Sequence, residues 1–257
     1  MKKILILILL ISSLFSSCKT IKKDSPIDNQ SINEIEDLVS SVDLTSSNIF
    51  VGISNMMPST QTMRKQSLLN ALKQDLLNDY VVISTRDIYL SENNGYDFYK
   101  TMQVVGYSDE TIQEKFNKIE IIDELYNQRN GSVILIKDNS KEDKKIYNVE
   151  YDDSGKPKWL NKKIEIEGYY VGKGISDSEF TIPKKVESAT YECFINIYKN
   201  SGFANDIVIS DNFGNDNNFR DESFIAGTAK LKGFKIIDYY YDKISGEYHC
   251  LGVIKKG

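Results

Sequence analysis

Apolar positions along the first half of the chain follow two rhythms. Residues 48–54 (NIFVGIS), 80–84 (YVVIS) and 132–137 (SVILIK) are short runs rich in Val and Ile, a pattern that predicts buried strands. Residues 61–78 instead place Met63, Leu68, Leu69, Leu72, Leu76 and Leu77 at helical spacing, the clearest amphipathic helix in the sequence. Strand, helix and strand in that order predict a βαβ-type unit. Residues 92–106 are polar and aromatic and read as a connection. Ser108 is placed to cap a following helix, with Asp109 and Glu110 suiting its first turn. Ile112, Phe116, Ile119, Ile122 and Leu125 or Tyr126 extend one apolar face until Asn130-Gly131, a helix stop. Residues 146–151 are expected to add a fourth strand.

Asp152-Asp153-Ser154-Gly155-Lys156-Pro157 concentrates turn formers between two patterned regions and reads as a boundary. Beyond it, residues 181–200 predict a helix with Pro183 in the first turn, where a missing N–H costs little. Val186, Ala189, Cys193, Phe194 and Ile197 mark its apolar side. Residues 206–210 read as a short strand and 211–221 as a polar loop. Two β-type runs, 223–242 and 247–255, flank Ile244-Ser245-Gly246 and predict a terminal hairpin. The expected class is α+β, as two small α/β sandwich-like domains at 48–151 and 152–257. A polar stretch at 18–47 reads as a tether, with a short helix over 32–44 from Ile32, Ile35, Leu38, Val39 and Val42.

The N-terminus changes the picture from a soluble fold to an anchored one. Met1 to Cys18 reads MKKILILILLISSLFSSC: two lysines, an unbroken Ile/Leu run, then serines and a cysteine. These are the elements of a secretory signal. The apolar run ends near Phe15, short of the roughly 20 residues a membrane span needs. Leu14-Phe15-Ser16-Ser17-Cys18 resembles the lipobox of bacterial lipoproteins. The resemblance implies that residues 1–17 are a lipoprotein signal peptide, cut so that Cys18 leads the mature chain. It further implies that Cys18 carries the lipid attachment, with several acyl chains as the membrane contact. Each buried CH₂ contributes about 0.8 kcal/mol, so two or more chains hold stably where one does not. The competing reading is an ordinary cleaved signal with an incidental cysteine.

Charge narrows the partners. Losing 17 of 257 residues leaves 240, and with Lys2 and Lys3 gone 30 basic residues face 37 acidic, a net charge of −7. That balance argues against nucleic acid, whose phosphates require a basic face. With Cys18 lipidated, Cys193 and Cys250 are the remaining thiols. Two buried free thiols are favoured over a disulfide, because Cys193 falls on an apolar helical stripe. One histidine and no Cys-x-x-Cys argue against structural zinc, and no cofactor is expected.

Candidate chemistry is sparse. Gly172-x-Gly174 has no third glycine, since Asp177 stands there, and reads as a strand closely packed by backbone. Asp211, Asp216, Asp221 and Glu222 with neighbouring asparagines offer oxygens to calcium, but not at EF-hand spacing; a solvated loop is the better reading. His249 and Cys250 are adjacent on a strand and so point to opposite faces. Tyr240 is expected opposite Tyr239 and Tyr241; ordinary packing of these and Tyr248 is preferred over an aromatic binding surface.

Two family resemblances bear on function. Pro157-Lys158-Trp159, the run Tyr169-Tyr170-Val171-Gly172-Lys173-Gly174, a helix with Ala189, Leu231-Lys232-Gly233 before Asp238, and the hairpin from Tyr241-Asp242 to Gly246–Gly252 resemble the Lpp-twenty family of outer-membrane lipoproteins. The helix carries Glu187, Tyr191 and Asn196 where that family has small residues. The first half, through a strand, an amphipathic helix and the run Tyr80 to Arg86, resembles the CsgG/Lpo-type periplasmic lipoprotein domain. Both resemblances imply a noncatalytic envelope protein, without cofactor, anchored in the outer membrane and reached by the general secretory route. Its partner would be an envelope protein or a second copy. The alternatives are a lipid-anchored hydrolase using carboxylates, or an oligomeric export-channel component. Two acids facing each other in a pocket with perturbed titration would favour the hydrolase. The channel would need strands of about 9–11 alternating residues; residues 168–174 are too short, and 223–241 carry charge on both faces.

Overall fold

The structure is a computed structural model that describes residue 39 and residues 42–90, 96–105, 108–127, 131–176, 181–201 and 227–256. Its strands form three antiparallel three-stranded sheets. In the first, β5 (Gly131–Asp138) lies between β1 (Ile49–Ser54) and β4 (Ile119–Asn127). In the second, β2 (Val81–Leu90) lies between β3 (Tyr96–Val105) and β7 (Gly227–Lys232). In the third, β9 (Glu247–Lys255) lies between β6 (Tyr169–Ile175) and β8 (Phe234–Asp242). The helices are α1 (Thr60–Asp79), α2 (Asp109–Phe116) and α3 (Ile182–Asn200). The class is α+β.

Helix α1 starts where Ser59 caps it, its side chain accepting from the Thr62 N–H. The helix backbone then lies directly on β1. A Cβ on Gly52 would sit 1.9 Å from the Ser67 carbonyl oxygen and 2.3 Å from the Ala71 nitrogen, so only glycine fits. Helix α3 approaches β6 the same way. A Cβ on Gly174 would meet the Ala189 oxygen at 2.0 Å, and one on Gly172 the Cys193 oxygen at 2.6 Å. The two glycines of the Gly-x-Gly pair are therefore spent on helix–sheet contact.

The main core joins β1, α1, β5, α3, β8 and β9 through residues such as Val51, Leu77, Val133, Phe194, Phe234 and Cys250. Phe194 and Phe234 meet edge to face, 5.3 Å between ring centres. The far side of the third sheet is covered by the 146–171 stretch, where Trp159, on a single 3₁₀ turn (Lys158–Leu160), packs with Ile166, Ile237, Leu251 and Val253. A bulge between Ile236 and Asp238 turns Ile237 and Asp238 toward Trp159 while Ile236 and Tyr239 stay in the main core. Among the described residues no helix is long and apolar enough to cross a membrane.

Several expectations are corrected. Residues 96–105 form β3, not a connection, and pair with β2 along its whole length. The helix begun at Ser108, with a full capping box, stops at Phe116; 119–127 continue as β4 because β5 offers a ladder of hydrogen bonds that a longer helix would forgo. The expected βαβ unit does not form, since β1 and β2 belong to different sheets and every pairing among the described strands is antiparallel. Residues 146–151 make no named strand; Tyr151 bridges to Pro157. The run expected at 223–242 is broken at Gly233 (φ +84°), which sends β7 and β8 to different sheets. On both sides of the turn at Asp152–Lys156 the described residues share one core and one sheet, β2 pairing with β7, within a single compact unit. The expected strand at 206–210, most of the helix over 32–44, the loop at 211–221 and Cys18 lie outside the described residues.

Candidate functional site

Among the described residues, two groups of charged side chains stand out. The first joins α1, α2 and the end of β5. Asp75 and Asp79 lie one helical turn apart on α1, Lys115 is on α2, and Asp138 closes β5. The Lys115 ammonium sits among all three carboxylates, 2.5 Å from Asp138 Oδ2, 3.1 Å from Asp75 Oδ2 and in contact with Asp79. Lys141 reaches in from the next turn, 2.6 Å from Asp75 Oδ1, 2.7 Å from Asp79 Oδ1 and 2.7 Å from the Asn78 side-chain oxygen. Asp138 Oδ1 also accepts from the N–H and hydroxyl of Ser140.

Titration follows from these contacts. Burial raises Asp75, and Lys141 and Lys115 offset it only partially. Burial acts on Asp138 the same way, but the bonds from Lys115 and Ser140 outweigh it and hold that carboxyl below its usual value. Burial pulls Lys115 down, yet the surrounding carboxylates hold it protonated well above an ordinary lysine. Asp75, Asp79 and Asp138 bring their oxygens within 4.8 Å of one another, close enough for a metal ion. Lys115 already fills the position between them, so the arrangement is an ion knot that ties α2 to the rest of the fold.

The second group lines a pocket of about 190 Å³ between residues 42–45, residues 145–151 and β8. Asp238 forms its floor, 3 % exposed, with its Oδ2 accepting from the Trp159 indole N–H at 2.7 Å. Burial is the main influence on it and pushes its pKa up to about 7; the bonds from Trp159 and the Tyr239 N–H oppose this, and the Asp43 charge adds to it. Asp43 stands at the wall. Its Oδ1 accepts from both the N–H and the hydroxyl of Thr45. Partial burial would raise Asp43, but those bonds, together with the charges of Lys145 and Lys235, hold it below the usual range. Two carboxyl groups in one pocket thus titrate apart. Lys235, three residues before Asp238, is 4 % exposed, bonds to the Ile49 carbonyl and lies 4.2 Å from the Phe50 ring centre. Burial and the Lys141 charge bring its pKa down to about 7.

Residues singled out by sequence fall elsewhere. Cys193 and Cys250 are free, buried thiols in the main core. His249 stands on the opposite face of β9, half-buried beside Tyr240, with its pKa lowered by burial. Tyr239 and Tyr241 pack on the main core and Tyr240 on the Trp159 side, as alternation requires. Lys173 spends its ammonium on the carbonyls of Leu160 and Lys162. Asp211, Asp216, Asp221 and Glu222 lie outside the described residues.

Sequence reasoning passed over Asp75, Lys115, Asp238 and Lys235. For three of them a signal was present: a charge on an apolar face. Asp75 interrupts the Leu72–Leu76 stripe, and Lys235 and Asp238 sit inside an otherwise apolar strand. Comparison of the chain with protein-family models, with curated proteins and with solved structures finds no match.

Proposed function

We propose that this protein is a lipid-anchored component of a bacterial cell envelope, held off the outer membrane by a polar tether and working noncatalytically by binding a partner. The observation that carries the reading is the leader itself: Lys2-Lys3, an Ile/Leu run, small residues and Cys18 in lipobox order. The resemblance to Lpp-twenty and CsgG/Lpo-type lipoproteins points the same way. So does the use made of reactive groups, since the thiols are buried and the carboxylates of the ion knot are tied to lysines. Cells grown with labelled palmitate test the anchor. The wild-type protein is expected to take up label and the Cys18→Ala variant none. Absence of label from both would remove the lipoprotein reading. Crosslinking in intact cells would then separate an envelope partner from self-association.

A second reading, a lipid-anchored hydrolase working through carboxylates, draws on Asp43 and Asp238, whose titrations diverge in one pocket as an acid–base pair requires. Turnover of chromogenic esters or glycosides by the pure protein, abolished in Asp238→Asn, would favour it. No turnover by the wild type would leave the binding role in place.

A further inference from the structure

We propose that the pocket floored by Asp238 and walled by Asp43 binds the ammonium group of a small organic amine. Charge balance is the first argument. In the ion knot, the buried carboxylates Asp75 and Asp138 each have a lysine ammonium within 3.1 Å. Neither Asp43 nor Asp238 forms an ion pair with any described residue, although Asp238 is buried nearly as deeply. A carboxyl buried this deeply without a cation keeps its proton instead of its charge, and an incoming cation would let it ionise. Lys145 lines the pocket and Lys235 does not, but both act on Asp43 through space and neither bonds to it.

Shape and chemistry are the second. The cavity is several times the roughly 30 Å³ that one water takes in the liquid, and Val42, Val149 and Ile237 give it apolar walls suited to a short carbon chain. An ammonium brings three donors. Asp43 is fixed to receive one, since both bonds from Thr45 fall on the same oxygen. Asp238 receives another. Asn148 and Tyr151, both exposed, also line the space. By contrast, the cleft of about 120 Å³ between α1 and α3 has its polar groups already matched. Gln74 and Thr190 both bond to the Tyr239 hydroxyl, and Lys73 faces Glu187.

Proton linkage gives the proposal its signature. The groups that act on Asp238 or feel its charge are Trp159 on the 3₁₀ turn, Asp43 on the 42–45 segment, Tyr147 and Tyr151 on the covering stretch and Cys250 on β9, with Lys145 lining the same pocket. An ammonium binds the ionised form, so affinity follows the fraction of Asp238 that has lost its proton.

The full-length protein in detergent, titrated calorimetrically with n-butylamine hydrochloride at pH 6 and pH 8, tests this. Binding is expected to be about tenfold tighter at pH 8, as ionisation through a pKa near 7 dictates. N-butylacetamide, the same chain without charge, is expected not to bind. Asp43→Asn should weaken the amine at least tenfold at pH 8, and Asp238→Asn should leave weak binding that no longer depends on pH. Equal binding of the amide, binding indifferent to pH in the wild type, or no heat at pH 8 would each overturn the proposal. The wild-type comparison stands even if a variant fails to fold, and none of these outcomes depends on whether Cys18 is lipidated.

Discussion

Lys115→Met is expected to lower the unfolding free energy by about 3–5 kcal/mol, the range for removing one partner of a buried ion pair. Lys115 is 8 % exposed and is the cation shared by Asp75, Asp79 and Asp138. Without it the three carboxylates keep only Lys141, and two like charges remain uncompensated at the end of β5. Lys115 also ties down α2, an eight-residue helix too short to persist alone in water. Amide exchange over 109–116 should therefore accelerate more than over α1. Urea unfolding at pH 7 measures the loss. A double variant with Asp75→Asn should recover some of it, because it removes one of the orphaned charges. The deficit should narrow in acid, where the carboxylates take up protons instead of repelling. A Lys115→Met protein within about 1 kcal/mol of wild type would show that the knot contributes little beyond geometry.

The second large effect is in the pH profile. Asp238 titrates near pH 7 in the fold against 3.8 as an ordinary carboxyl. Between those values the folded protein holds a proton that the unfolded chain has released, so stability falls as pH rises, by roughly 4 kcal/mol in all. Lys235 has the opposite window. Its pKa is about 7 in the fold against 10.5 ordinarily, so above pH 7 the folded amine is already neutral while the unfolded one still binds a proton. Stability then rises with pH through that window, by a similar amount. Together the two residues set a minimum close to neutrality. His249, lowered by burial, works against Asp238 below its usual value, so differences between proteins isolate each group better than the raw curve. Asp238→Asn should flatten the fall between pH 5 and 7, and Lys235→Met the rise between pH 7 and 9. Denaturant midpoints at half-unit pH steps would check both. Parallel curves for wild type and Asp238→Asn would mean that the carboxyl is not held protonated.

The ion knot and the acid pocket share one lesson about reading charge from sequence. A charge on an apolar face announces that something must meet it, and Asp75, Lys235 and Asp238 all carried that announcement. The sequence did not say what. Asp75 finds Lys115 and Lys141 from 40 and 66 residues away, whereas Asp238 finds an indole N–H 79 residues away and no cation among the described residues. These outcomes differ because chain path, not local composition, brings the partners together.

What the sequence determined by itself is the set of elements whose one buried face writes its own period. Strand β1, helix α1, helix α3 with Pro183 in its first turn, and the β8–β9 hairpin were all legible. So were the buried state of Cys193 and the close backbone approach at Gly172 and Gly174, since small residues inside a strand mark where a helix lies near. Only the tertiary structure decided the rest. Residues 119–127 fit a helical stripe and a strand equally in their apolar spacing, and β5 settled the matter by pairing. Residues 96–105 looked like a connection because their order comes from β2. The two halves merged into one core because β7 returns to β2 and α3 packs among residues of both. Local periodicity fixes which face is buried; the partner that buries it is chosen by contacts distant in sequence, which no window of neighbouring residues contains.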